Sequence, residues 1–319
     1  MFPSVATPED FDALDLDDAA FLLAVFWLVQ RISAARPGEE GVKRFSAGSL
    51  PVFAVGAEQV LKLYPPCFVE EGAHEARWLK ALEGSLPIPT PRLLGEGQDE
   101  GSGWRWVLMT RLSGRPADVC WAEIPRKQQL RLSVELGEAL SVLHSLSFPT
   151  SLALFDWDDF IAEQHRTATT RQQGRGLGAH WCDQIEGFLN TAPPADGPHV
   201  PLHTEIMRQH LFVKEVSGRW ALCGVLDFEP ATVGAPGYEF ASVGLFWSCG
   251  DAALLRAVMH GYGMIDGRAG KDFSQALMRW ALLHRYSHLP WYLKRMPPKP
   301  TSQTLSTLSM QWFGLEVQD

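Results

Sequence analysis

Cysteine is sparse in this chain and follows no spacing rule. Cys67, Cys120, Cys182, Cys223 and Cys249 are odd in number and never spaced as CxxC. That argues against a zinc ribbon or a disulfide framework and for buried reduced thiols. Long hydrophobic runs are missing as well. The longest, Ala19 to Val29, falls short of the ~20 residues that span a bilayer. Met1-Phe2-Pro3-Ser4 leads into acidic residues instead of the basic and apolar stretches of a secretory signal, so a cytoplasmic location is expected. Positive charge is in deficit: 28 Lys and Arg face 37 Asp and Glu, a net charge of −9 at pH 7. A surface of that sign repels phosphate backbones and anionic lipid, so neither nucleic acid nor a membrane is an expected partner. A small cationic substrate is compatible with it. There is no internal repeat and no low-complexity linker.

What is present is a chain of 319 residues, 46% hydrophobic, enough for a substantial core in about two lobes. Ala19 to Ala35 has the apolar density of an amphipathic helix, with Asp17 and Asp18 as caps and Pro37-Gly38 as its stop. From Val42 to Tyr64, short apolar runs separated by turn residues predict three antiparallel strands. Helical spacing returns from Glu70 to Leu82, and strands follow at Arg92–Leu94 and Trp104–Leu112. After Ser113-Gly114-Arg115-Pro116 the chain becomes mainly helical. Leu132, Leu136, Leu140, Leu143 and Leu146 mark the clearest helix, and Asp156–Gln173 and Ala179–Asn190 read as weaker ones. A loop over Thr191–Pro198 precedes two short strands, Leu211–Val213 and Leu222–Leu226, and the remainder beyond Pro236 is helix-rich. The pattern is α+β, with a small β-rich lobe over 1–112 and a larger α-rich lobe over 113–319.

Two segments carry the chemistry. Leu202-His203-Thr204-Glu205-Ile206-Met207-Arg208-Gln209-His210 places a histidine, an acid and a second potential ligand in a loop before a strand. Gly224-Val225-Leu226-Asp227-Phe228-Glu229 places an acid at the end of another strand. Phosphoryl transfer needs such parts: one carboxylate to orient the acceptor hydroxyl, and another to hold the Mg²⁺ that bridges nucleotide phosphates. The pair resembles the H-G-D-x-x-x-x-N loop and G-V-I-D-F/W segment of the aminoglycoside phosphotransferase and small-molecule kinase family. The resemblance implies a bilobal protein-kinase-like fold. It puts Glu205 in the catalytic acid's place, His210 in that of the metal-binding Asn, Asp227 in that of the principal metal ligand, and makes His203 architectural. Glu239, in Gly234-Ala235-Pro236-Gly237-Tyr238-Glu239-Phe240-Ala241, replaces an Asp that braces the loop. Glu205 is one methylene longer than the family's Asp, and an imidazole at His210 implies either a Mg²⁺ site leaning on Asp227 or another, softer divalent ion.

The amino-terminal lobe agrees with this resemblance. Lys62 lies in an apolar strand, where an unpaired charge is costly, so it should meet an anion. By the family match it contacts nucleotide phosphates and pairs with Glu75, with Glu71 as second choice. Ser46, Gly48 and Ser49 form the turn that would cover the phosphates, and the segment through Met109 and Arg111 would run past the base with its backbone groups. Walls for the acceptor are sought among Asp156, Asp159, Glu163, Trp247 and His284. The implied activity moves the γ-phosphoryl of ATP or GTP to a hydroxyl of an antibiotic-like natural product, by a protein that is a monomer or a homodimer. A metabolite kinase acting on choline, homoserine or a sugar, and a kinase-shaped protein that binds nucleotide or a partner without transfer, stay open.

Overall fold

A computed structural model describes residues 1–33, 41–46, 48–191, 197–264 and 270–315. Ala47, the expected helix end at Ala35 with its Pro37-Gly38 stop, and most of the Thr191–Pro198 loop lie outside them. The chain divides into two compact units. One contains Met1–Ser113 together with Gly224–Pro230, the other Gly114–Cys223 together with Ala231–Asp319.

The first unit begins with helices α1 (Pro8–Asp12) and α2 (Ala19–Ile32). Asp18 caps α2 by accepting from the Ala20 and Phe21 amides, while Asp17 instead holds the Arg44 guanidinium through both oxygens. Strands β1 (Val42–Arg44), β2 (Val52–Val55), β3 (Gln59–Tyr64), β4 (Leu93–Gln98) and β5 (Arg105–Thr110) form one antiparallel sheet in the order β1-β2-β3-β5-β4. The meander read over Val42–Tyr64 is its first half. Helix α3 (Val69–Leu82) buries Trp78, Leu79 and Leu82, and Leu61, Leu63 and Val107 are equally enclosed. Phe2 and Phe21 close over Trp104, with ring centroids 5.4 and 5.5 Å from it. The 224–230 segment is tied in where the Val225 amide donates to the Pro89 carbonyl at 3.0 Å.

The second unit runs through β6 (Arg115–Pro116), α4 (Ala117–Cys120), α5 (Arg126–Ser145), α6 (Trp157–Gly174), α7 (Ala179–Asn190), β7 (Val200–Leu202), β8 (Leu211–Val216) and β9 (Arg219–Val225). The last two residues of β9 belong to the first unit. After β10 (Thr232–Gly234) come α8 (Pro236–Ser242), a π-helical turn over Val243–Ser248, α9 (Ala252–Tyr262), α10 (Lys271–Leu283), α11 (Leu289–Arg295) and α12 (Leu305–Phe313). The leucine stripe of α5 is its buried face, and each such side chain contributes about 2 kcal/mol on burial. It packs on α9, where Leu254, Leu255 and Val258 are buried. β7 pairs antiparallel with β10, so the residues after Leu202 and those after Gly234 leave the same small ladder. No helix among the described residues is long and apolar enough to cross a membrane. No disulfide links cysteines among the described residues.

Candidate active site

Lys62 sits mid-strand in β3, opposite Val52 on one side and Val107 on the other, with 8% of its surface exposed. Its ammonium lies 2.8 Å from Asp227 Oδ1, 2.9 Å from Glu229 Oε2 and 3.3 Å from Glu75 Oε2. Burial alone would pull the lysine's pKa down. Asp227, then Glu75, outweigh it and hold the ammonium well above its usual range. Burial pushes the Glu75 carboxyl up, against the pull of Lys62, and the Tyr64 hydroxyl donates to the same oxygen. One cation among three carboxylates leaves a formal charge of −2 when all are ionised. Asp227 holds a φ of +75°, a left-handed conformation that a non-glycine residue adopts at an energetic cost.

Thus Lys62, Glu75 and Asp227 are brought together, and Glu71 is not part of the cluster. Glu229 joins them, a residue that sequence reasoning passed over. Strand alternation could not have announced it, because β9 ends at Val225, Asp227 is left-handed and Glu229 lies in a turn. Ser46, Gly48 and Ser49 are exposed in the turn from β1 to β2, Gly48 at a φ of +109°. At the end of β5 the Thr110 amide donates to the Arg92 carbonyl and the Arg111 amide to the Glu58 carbonyl. Those two N–H groups are taken up at the end of the sheet. Met109 is buried within the sheet, and the Arg111 guanidinium lies over the Phe45 ring.

In the second unit, the loop after β7 is held from several sides. Glu239, in the first turn of α8 and fully buried, accepts from the His203 amide at 2.6 Å and the Thr204 amide at 2.9 Å, so it does brace the loop. Behind it, His144 places Nε2 3.8 Å from Glu239 and bonds the Tyr262 hydroxyl through Nδ1 at 2.9 Å. The Glu205 amide donates to His203 Nδ1 at 3.2 Å, and Ser242 donates to the Ile206 carbonyl. His210 Nδ1 meets the Glu205 carbonyl at 2.9 Å. A carbonyl only accepts, so Nδ1 carries the hydrogen of this bond, as the non-ligating nitrogen of a metal-bound imidazole does. Thr204 stands where the family's loop has glycine, and it takes a glycine's conformation, φ +73°.

The expected acceptor-wall residues take different parts in the fold. Asp156 caps α6 by accepting from the Asp159 amide, and Glu163 pairs on the surface of that helix with Arg166. Trp247 is fully enclosed, its indole donating to Ser133 at 2.9 Å, so it belongs to the core and not to an open wall. His284 is 2% exposed and donates from Nε2 to the Thr204 carbonyl at 3.0 Å, which makes it part of the loop's support.

A family model described as "Phosphotransferase enzyme family" matches residues 41–274. The chain belongs to that family. Among solved structures, the GDP complex of wild-type aminoglycoside 2'-phosphotransferase-IIIa is 17% identical. The match covers 88% of this chain and 97% of that one, with a TM-score of 0.67. The streptomycin–ATP ternary complex of APH(2")-IIa matches 89% of this chain and 96% of that chain at 18% identity and a TM-score of 0.60. Macrolide 2'-phosphotransferase MphH from Brachybacterium faecium matches 86% of this chain and 98% of that chain at 16% identity, with the same score. At these identities the neighbours establish the protein-kinase-like fold. The family establishes a phosphotransferase acting on a hydroxyl.

Proposed function

We propose that this phosphotransferase moves the γ-phosphoryl group of ATP or GTP to a hydroxyl of an antibiotic-like natural product. The observation that carries the reading is the buried Lys62 ammonium holding Asp227, Glu229 and Glu75 within 3.3 Å. Such a cluster is costly unless a ligand completes it, since three carboxylates around one cation are out of balance by two charges. A divalent ion fits that imbalance. Among the described residues no group of three or more His, Cys, Asp or Glu is arranged to hold a metal by itself. Mg²⁺ characteristically takes one or two carboxylates and completes its shell with phosphate oxygens and water. Asp227 and Glu229 are suited to that part, with the imidazole of His210 a further candidate ligand. Bound there, the ion would neutralise charge on the phosphates during transfer.

The chain's own residues supply the remainder. Lys62, once a nucleotide takes over some of its carboxylate contacts, neutralises phosphate charge, and Glu75 keeps its ammonium in place. Glu205 accepts the proton of the incoming hydroxyl as its oxygen bonds to phosphorus and the bond from phosphorus to the β-phosphate oxygen breaks. The exposed turn at Ser46, Gly48 and Ser49 covers the phosphates with backbone amides.

For the acceptor, the neighbours whose names include aminoglycosides and a macrolide define the first panel. The purified protein, given Mg²⁺ or Mn²⁺ with ATP or GTP, is screened by mass spectrometry for a phosphorylated product. Turnover that disappears in Asp227→Ala and in Glu205→Ala is the expected result, a loss of at least ~100-fold. Tight nucleotide binding without transfer to any acceptor would favour the binding protein instead. Product formed from choline, homoserine or a sugar alone would assign a metabolite kinase.

A further inference from the structure

The peptide unit between Thr204 and Glu205 is held at both ends by a histidine. On its carbonyl side, Thr204 O accepts from His284 Nε2 at 3.0 Å. On its amide side, the Glu205 N–H donates to His203 Nδ1 at 3.2 Å. These roles leave no choice of tautomer at the contact atoms, because a carbonyl only accepts and an amide N–H only donates. His284 Nδ1 in turn accepts from the Tyr286 amide at 3.2 Å. The ring is stacked on Tyr238, centroids 4.6 Å apart and planes 19° from parallel. Tyr238 is itself fixed where its hydroxyl accepts from the Arg285 amide. The His284 donor therefore has a set position before any ligand arrives.

The loop needs such a restraint. With φ at +73°, Thr204 occupies a region where a β-branched residue is strained, by ~1 kcal/mol or more, a conformation that persists only where surrounding contacts hold it. Glu239 holds the amides of His203 and Thr204 but makes no contact with the Thr204 carbonyl among its hydrogen bonds. That carbonyl and the Glu205 amide belong to one rigid plane. We propose that His284 is a positioning residue for Glu205: it donates to the Thr204 carbonyl and so, with His203, locks the peptide plane from which the Glu205 side chain departs. The proposal deepens the phosphotransfer reading and rests on it for the role of Glu205, while the lock itself does not depend on what the protein phosphorylates.

His284→Phe keeps a flat ring for Tyr238 and removes the donor. His284→Gln restores an N–H near the position of Nε2. Hydrogen exchange followed by NMR on the full-length protein reads the lock directly. In His284→Phe the Glu205 amide is expected to exchange ~10-fold faster, with the His203 and Thr204 amides less affected, and His284→Gln should return it toward the wild-type rate. With an acceptor in hand, His284→Phe is expected to lower kcat by ~10- to 100-fold and leave the nucleotide KM within about twofold, again recovered in part by His284→Gln. An unchanged Glu205 amide in His284→Phe would overturn the lock. So would equal losses in the two variants, since that would assign the ring to packing alone. Faster exchange with unaltered kcat would overturn the positioning role. A wild-type protein that phosphorylates nothing would sink the phosphotransfer reading, and the exchange rates would still decide the lock.

Discussion

A buried ionisable side chain has to be either paired or neutral, and this protein contains one of each kind at the residues that matter most. Lys62 is paired three ways and stays charged. His284 is neutral: burial lowers its pKa to about 4 from an ordinary value of 6.5. Glu239 raises that value, and Arg171 and Arg285 lower it further. In the unfolded chain the same ring takes a proton near pH 6.5. Between 6.5 and 4 the unfolded state therefore binds more protons, so the stability contributed by His284 is complete above 6.5 and is lost as the pH falls through about 4. The loss amounts to ~3 kcal/mol. Urea unfolding at pH 7 and pH 4 should show wild type losing more stability than His284→Gln by about that amount. The surrounding charges are common to both proteins and cancel in the difference. Equal losses would mean that the ring is protonated in the folded protein.

At the scale of elements, α5 and α9 approach so closely that neither has room for a side chain where they touch. A Cβ built on Gly137 would overlap the Val258 carbonyl oxygen, and one on Gly261 would overlap the Val134 carbonyl oxygen. Gly137→Ala and Gly261→Ala should each destabilise the protein by ~1–3 kcal/mol, although alanine is the better helix former. Thermal unfolding measures it, and a rise in Tm in either variant would refute the close approach. The leucine stripe announcing α5 was legible because it repeats on one face. So was Lys62, a charge in an apolar strand. Other features leave no such trace. β7 and β10 are three residues each, too short for alternation to show, and β7 contains Pro201. The bond from His284 to Thr204 spans 80 residues, so nothing local distinguishes that histidine from one facing a ligand. Trp247 carries the same ambiguity, since an aromatic side chain suits a ligand wall and a core equally well. Thr204 hid in a different way: its left-handed backbone runs against its residue type, and only the surrounding contacts reveal it.

For the whole molecule, the lasting consequence is that the functional cluster is not continuous in the chain. A cut at about residue 113, where the sequence changes from strand-rich to helix-rich, would keep the five-stranded sheet with Lys62 and Glu75 and lose Gly224–Pro230. Lys62 would then keep one of its three carboxylates, and the Pro89 carbonyl would lose the Val225 amide. Removing partners from a buried charge costs several kcal/mol, comparable to the entire stability of a small domain. The fragment 1–113 is therefore expected to show no cooperative melting transition under conditions in which the full chain melts sharply. A calorimetric scan of each is sufficient. A fragment that melts cooperatively near the full chain's temperature would show that Asp227 and Glu229 are dispensable to the first unit. Their grip on Lys62 would then have to be explained by the ligand they await and not by the fold they complete.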